Sequence, residues 1–190
     1  MAGIAAAWTA DLIPGQRAWR VVPESASWFR RAGNGLTLIC ALLGAAPDLD
    51  LMFVAHRTVS HSLGAVIFVW LFAAALAADA ERPIVRVSLM CAAAYGTHLL
   101  LDWLGADTFP PRGIEILWPV NHEWYISGID VFRQTARQKF LTAPSMLQNL
   151  RAIVQELAIL GPTLVALWLV RVETLAGLST EMTCGDHSAE

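Results

Sequence analysis

The chain has 190 residues, of which 56% are hydrophobic and 15% charged, well below the roughly 25% charged residues of a soluble domain. Thirteen Lys+Arg against sixteen Asp+Glu give a formal net charge of −3, which offers no basic field for a nucleic-acid backbone. With a mean hydropathy of +0.50, the composition excludes a nucleic-acid-binding module and points to one membrane-embedded domain.

The opening stretch, "MAGIAAAWTADLIPG", lacks a basic start and meets Asp11 and Pro14 early, so a cleavable signal peptide is not expected. Residues Ile4 to Ile13 form a weak element, a short or re-entrant helix. A first apolar segment runs from Gly35 to Ala46 and is stopped by Pro47. The second, Ser62 to Ala78, carries no charge over 17 residues, at the lower edge of the about 17–25 that a spanning helix needs. The third, Ile84 to Leu104, is as apolar in general but contains Arg86, His98 and Asp102.

The connection from Gly105 to Asn149, roughly 45 residues, is too long for a simple turn and reads as a functional or surface-lying loop. Its basic part, Val131 to Phe140, is expected to be helical. The fourth segment, Ile153 to Val170, holds Glu156 and Pro162, both tolerated in membrane helices. Most of the eight tryptophans fall near segment ends, as interfacial belts do. Cys40 and Cys91 sit inside apolar runs with no CxxC spacing, and read as small apolar fillers. The expected fold is an all-α integral membrane bundle of about four transmembrane helices. Residues 1–175 form its single domain and 176–190, with His187, a disordered tail.

Threading these segments up and down brings the polar groups together. Asp48 and Asp50 follow the first segment, and His56 and His61 precede the second on the same side. The third segment starts on the opposite side, so its far end, "THLLLDWLG", returns His98 and Asp102 to the first side, four apart and on one helix face. Three imidazoles and three carboxylates therefore meet at helix ends. These are the donors that zinc, manganese or iron take from protein, and six exceed what one tetrahedral ion needs, so one or two ions fit. A metal-activated water is the expected nucleophile. Arg57, its fork matching an anionic substrate oxygen, and Asp102 are assigned catalytic roles, and Ser60 and Ser62 are placed to hydrogen-bond the ligands.

Each element has a plainer alternative. "PDLD" reads also as a turn with a helix cap, "HRTVSH" as an interfacial loop, and His98 with Asp102 as a hydrogen-bonded pair inside a bundle. His122 is a seventh candidate or part of an aromatic interfacial loop, Glu115 and Glu123 read as solvated, and Asp107 carries no spacing signal. Arginine and lysine divide seven against six between the two faces, a slight lean to a cytoplasmic N-terminus.

The ordered set "GAAPDLDLMF", "HRTVSHSLGAVIF", "YGTHLLLDWLG" and "GIEILWP" resembles the bacterial inner-membrane metal-dependent hydrolases, some of them LexA-regulated. The match spans about residues 35 to 120. It implies that Asp48, Asp50, His56, His61, His98 and Asp102 take the ligand positions, and that the protein is a multi-pass protein of the bacterial inner membrane. Many members carry a further histidine in a first helix, which "MAGIAAAWTADLIPG" lacks; either the ligand set is one short or the chain begins at a late start codon. Thr58 stands where glycine is common. The expected function is a membrane-bound hydrolase in contact with the bilayer, acting on a lipid-derived or phosphoester substrate. A non-catalytic metal protein, such as a sensor, transporter or structural adaptor, is the alternative, and the uninterrupted apolar second segment argues against transport.

Overall fold

A computed structural model describes residues 1–12, 27, 31–52, 57–136 and 141–186. Among them the chain runs as five α-helices and two short 3-10 helices, with no strand: α1 (Ala2–Leu12), α2 (Gly35–Leu43), α3 (Leu63–Asp79), α4 (Ile84–Leu104) and α5 (Ala143–Asp186). The 3-10 turns, Ala46–Met52 and Val59–His61, lie between α2 and α3.

Local chemistry sets these boundaries. Asn34 caps α2: its side chain accepts from Thr37 N at 3.1 Å, while Thr37 Oγ1 accepts from Asn34 N at 3.3 Å, a reciprocal capping box. Ser62 caps α3, accepting from Ala65 N at 3.1 Å and donating to Val59 O at 2.6 Å. It is thus occupied with the helix end rather than with the candidate ligands it was expected to support. The next free N–H groups of α3 are met by the long connection: Leu63 N donates to Ile116 O and Gly64 N to Trp118 O, which satisfies donors a helix start otherwise leaves open.

The expectation of four spanning helices is corrected. Among the described residues two helices are long and apolar enough to cross a membrane, α4 and the Ala143–Thr174 part of α5. At 1.5 Å per residue α2, with nine residues, reaches only about 14 Å, against a hydrocarbon core of about 30 Å. Helix α3 has 17 residues and falls just short. The fourth apolar segment is part of a much longer helix, 44 residues with Pro162 inside it, which runs on to Asp186, beyond residue 176 where the tail was expected to begin. The helix expected over Val131 to Phe140 is not formed in the described part: Val131–Ala136 is non-helical, Phe132 bridges Gly105, and residues 137–140 lie outside the described ones.

The core has two centres. Ala7, Cys40, Met90 and Ala94 pack where α1, α2 and α4 meet, so both internal cysteines are buried fillers as read. Helix α1 approaches α2 backbone to backbone: a Cβ on Gly3 would stand 2.2 Å from the Cys40 carbonyl oxygen. The second centre joins Tyr95 and Leu99 of α4 to Ile114 of the connection. Burying Ile114 fully contributes about 1.5–3 kcal/mol, and this anchors the connection across the end of α4.

Candidate metal centre

The convergence expected from threading is present. Asp48 comes from the first 3-10 turn, His61 from the end of the second, and His98 and Asp102 from the last turns of α4. One ligand atom each of Asp48, His61 and His98 lie within 4.8 Å of one another. His61 Nε2 is 3.8 Å from Asp48 Oδ1 and 3.2 Å from Asp102 Oδ2, and His98 Nε2 is 3.4 and 3.8 Å from the same two atoms. Donor atoms bonded at about 2.0–2.1 Å to a tetrahedral zinc would stand about 3.3 Å apart, close to these separations.

Both imidazoles are turned to this spot from behind. His98 Nδ1 faces the Gly44 carbonyl at 2.9 Å, which selects the tautomer with Nδ1–H and leaves Nε2 as a lone-pair donor. His61 Nδ1 lies 3.1 Å from Asp50 Oδ2 and 3.0 Å from Ser60 Oγ. A carboxylate or carbonyl on the far nitrogen is the usual support of a metal-binding histidine. Asp50, read from sequence as a ligand, therefore stands on the Nδ1 side of His61. It also accepts from the Ser60 hydroxyl and, at 3.1 Å, from Arg57 N. The Tyr95 hydroxyl donates to Ser60 O at 2.6 Å and ties this turn to α4. His56 lies outside the described residues.

Arg57 is not held open for a substrate. Its Nη2 donates to Asp102 Oδ1 at 3.2 Å and its Nη1 to Asp107 Oδ2 at 3.0 Å, and the residue is buried. Its backbone sits at φ 65°, an unfavourable region for a side-chain-bearing residue. The Asp50 contact on its N–H and the Glu115 N–H on its carbonyl, at 3.2 Å, hold it there. Asp107 is the residue that sequence reasoning passed over. Fully buried, it also accepts from Gly113 N and Gln134 Nε2 with one oxygen each, and from Phe109 N two residues on. The only sequence signal was that Asx turn in "DTFPPRG". Glu115, expected to be solvated, is buried and lies 3.4 Å from His122 Nδ1.

Electrostatics favour a cation here. Four carboxylates, Asp48, Asp50, Asp102 and Asp107, gather around this turn, and Asp102 and Asp107 take the Arg57 guanidinium, while the buried His98 Nε2 has no hydrogen-bond partner. Burial alone would pull the His61 pKa down, but hydrogen bonds with Asp102 and Asp48 and the charges of Asp102 and Asp50 outweigh it and raise it to about 9. Burial pushes Asp48 the other way, and the His61 and His98 contacts hold it well below the usual carboxylate range. Asp48 is half exposed, so the cluster opens to the outside on that side. By donor type and separation, Asp48, His61, His98 and Asp102 could hold a divalent ion.

The family model for YdjM inner membrane proteins matches residues 2–174. The chain belongs to the YdjM inner membrane protein family. No curated protein and no solved structure gives a match. Membership of the YdjM family agrees with the two apolar helices of spanning length. It shows the inner-membrane character implied by the motifs, and it says nothing of a reaction. Within this YdjM member all four clustered donors, together with Asp50, Arg57 and Asp107, fall inside the matched region.

Proposed function

We propose that this YdjM-family protein is a membrane-bound, metal-dependent hydrolase acting on an ester or phosphoester bond of a lipid-derived substrate. The observation that supports it most is the pair of Nε2 atoms, on His61 and His98, each held from its Nδ1 side and facing Asp48 and Asp102. A structural metal site is closed, whereas a catalytic one keeps an open position; the half-exposed Asp48 favours the second.

Zinc suits these nitrogen and oxygen donors, with manganese or iron as alternatives. Bound there, a divalent ion supplies Lewis acidity and lowers the pKa of a water towards neutrality. The chain's own residues set up the rest. Asp50 and the Gly44 carbonyl fix the imidazole orientations. Asp107 holds Arg57, and Arg57 holds Asp102 Oδ1, so that Oδ2 is presented to the cluster. Arg57 is a positioning residue in this reading, in place of the substrate contact expected from its fork. Asp48, the accessible carboxylate, is the donor that stands nearest the outside. A lipid-derived substrate is supported by the location of the cluster at the end of α4, a helix long and apolar enough to cross a membrane.

The test is turnover of a panel of phospholipids, lipid phosphates and fatty-acid esters by detergent-purified protein, with and without added zinc or manganese. Metal-dependent release of one product class, abolished in His98→Ala, is expected. Equal turnover by wild type and His98→Ala, or none on any ester with a metal bound, overturns the hydrolase reading.

A further inference from the structure

A second feature lies away from the metal centre. A groove of about 1040 Å³ opens between α1, α4 and α5. It is apolar: Ala5, Leu89, Ala93, Leu101, Leu160 and Leu164 are among its walls. The hydroxyls of Thr9 and Thr97 on its lining are satisfied within their own helices, on Ala5 O and Ala94 O. Helix α1 packs on both α4 and α5, and the groove opens along the line where the three helices approach one another.

One end of that gap is charged. Arg82 and Arg86 line it, and no carboxylate does. Arg82 is exposed, and Arg86 also lies 3.9 Å from Asp11. From Arg86 to Leu101 the lining follows α4 for about 22 Å at 1.5 Å per residue. An apolar channel of that length with cations at one end matches an acyl chain below an anionic headgroup.

We propose that this groove binds one anionic phospholipid, its chain along α4 between α1 and α5 and its phosphate at the exposed Arg82, with Arg86, held on the Ala10 carbonyl beside Asp11, adding positive charge behind it. Its headgroup end lies at the start of α4, whereas His98 and Asp102 lie at the far end, about 24 Å away along the helix. Groove residues Thr97, Ala93 and Leu89 are also turned by about 100°, 140° and 180° from His98 around α4. The lipid is therefore distinct from any substrate of the metal centre and independent of the hydrolase reading. Its effect is to fill the seam between α4 and α5.

Native mass spectrometry of the full chain in mild detergent tests this, titrating phosphatidylglycerol against phosphatidylcholine. One phosphatidylglycerol per chain is expected, held about ten-fold more tightly than phosphatidylcholine, which has the same phosphate but whose choline cation is repelled by the arginines at this end. Arg82→Gln should remove that preference, and Ala93→Phe, which fills the groove, should lower the affinity for both lipids. Both variants are to retain the wild-type helicity and unfolding midpoint, which shows that they fold. Equal binding of the two lipids by the wild type overturns the proposal. So does unchanged phosphatidylglycerol binding in Ala93→Phe, or a protein dimer carrying no lipid.

Discussion

A buried ion pair ties α5 to α1, and it can be cut cleanly. Asp11 of α1 is 2% exposed and accepts from Arg171 Nε of α5 at 2.8 Å, where the arginine side chain is 3% exposed. Arg171 also donates to Arg31 O at 2.6 Å, and Arg86 donates to the neighbouring Ala10 carbonyl. Asp11→Ala would leave two arginines without their carboxylate. Removing one partner of a buried pair costs about 3–5 kcal/mol, because the other charge is stranded. For a chain of this size about 1 kcal/mol shifts the unfolding midpoint by about 2–4 °C, so a fall of about 6–20 °C is expected. The assay is thermal unfolding in detergent, followed by circular dichroism and tryptophan fluorescence. The double variant Asp11→Leu/Arg171→Leu should recover much of the loss, since replacing both partners by apolar groups is often near neutral. An Asp11→Ala midpoint equal to the wild type's would refute the burial of this pair between α1 and α5.

Other consequences follow from the same geometry. Gly3→Ala places a Cβ 2.2 Å from Cys40 O and 3.3 Å from Gly44 Cα, and overpacking of this kind costs about 1–3 kcal/mol; an unchanged unfolding midpoint would mean α1 and α2 are not in backbone contact. Asp107→Asn removes the charge opposite Arg57 Nη1 and should weaken zinc binding about 10–100-fold, the usual cost of losing an outer support, as read by competition with a chromogenic chelator. In metal-free protein the raised His61 pKa adds stability that is complete below its unfolded value near 6.5 and is lost as pH rises through about 9. Thermal midpoints of chelator-treated protein should accordingly fall between about pH 7 and 10, and His61→Gln should flatten that fall.

The sequence carried the frame of the site because its donors sit on periodic elements. His98 and Asp102 are four apart on one helix, and the parity of the segments returned that helix end to Asp48 and His61. The bounds of α4 were legible for the same reason, since an apolar run between Pro83 and Gly105 has few ways to fold. What the sequence did not reveal depends on tertiary approach. Asp107 gains its role only when the connection folds back and sets it against Arg57, 50 positions earlier. Arg57 was read as a substrate contact because its fork suits any oxyanion, and nothing local says that two carboxylates of the chain itself will take it. Asp50 and Asp48 look equivalent in "PDLD", yet the 3-10 turn sends one to His61 Nδ1 and the other towards the Nε2 atoms. The count of spanning helices failed on length, where nine apolar residues with a good cap make a helix that cannot reach across a bilayer.

The central claim is that Asp48, His61, His98 and Asp102 converge on one divalent ion. Its most direct test is metal content by inductively coupled plasma mass spectrometry on detergent-purified protein, comparing wild type with Asp48→Ala, His61→Ala and His98→Ala. Bound zinc, manganese or iron in the wild type, lost in all three variants while helicity is kept, is the predicted result. A wild type that takes up no metal after supplementation, or variants that keep it, would contradict the account.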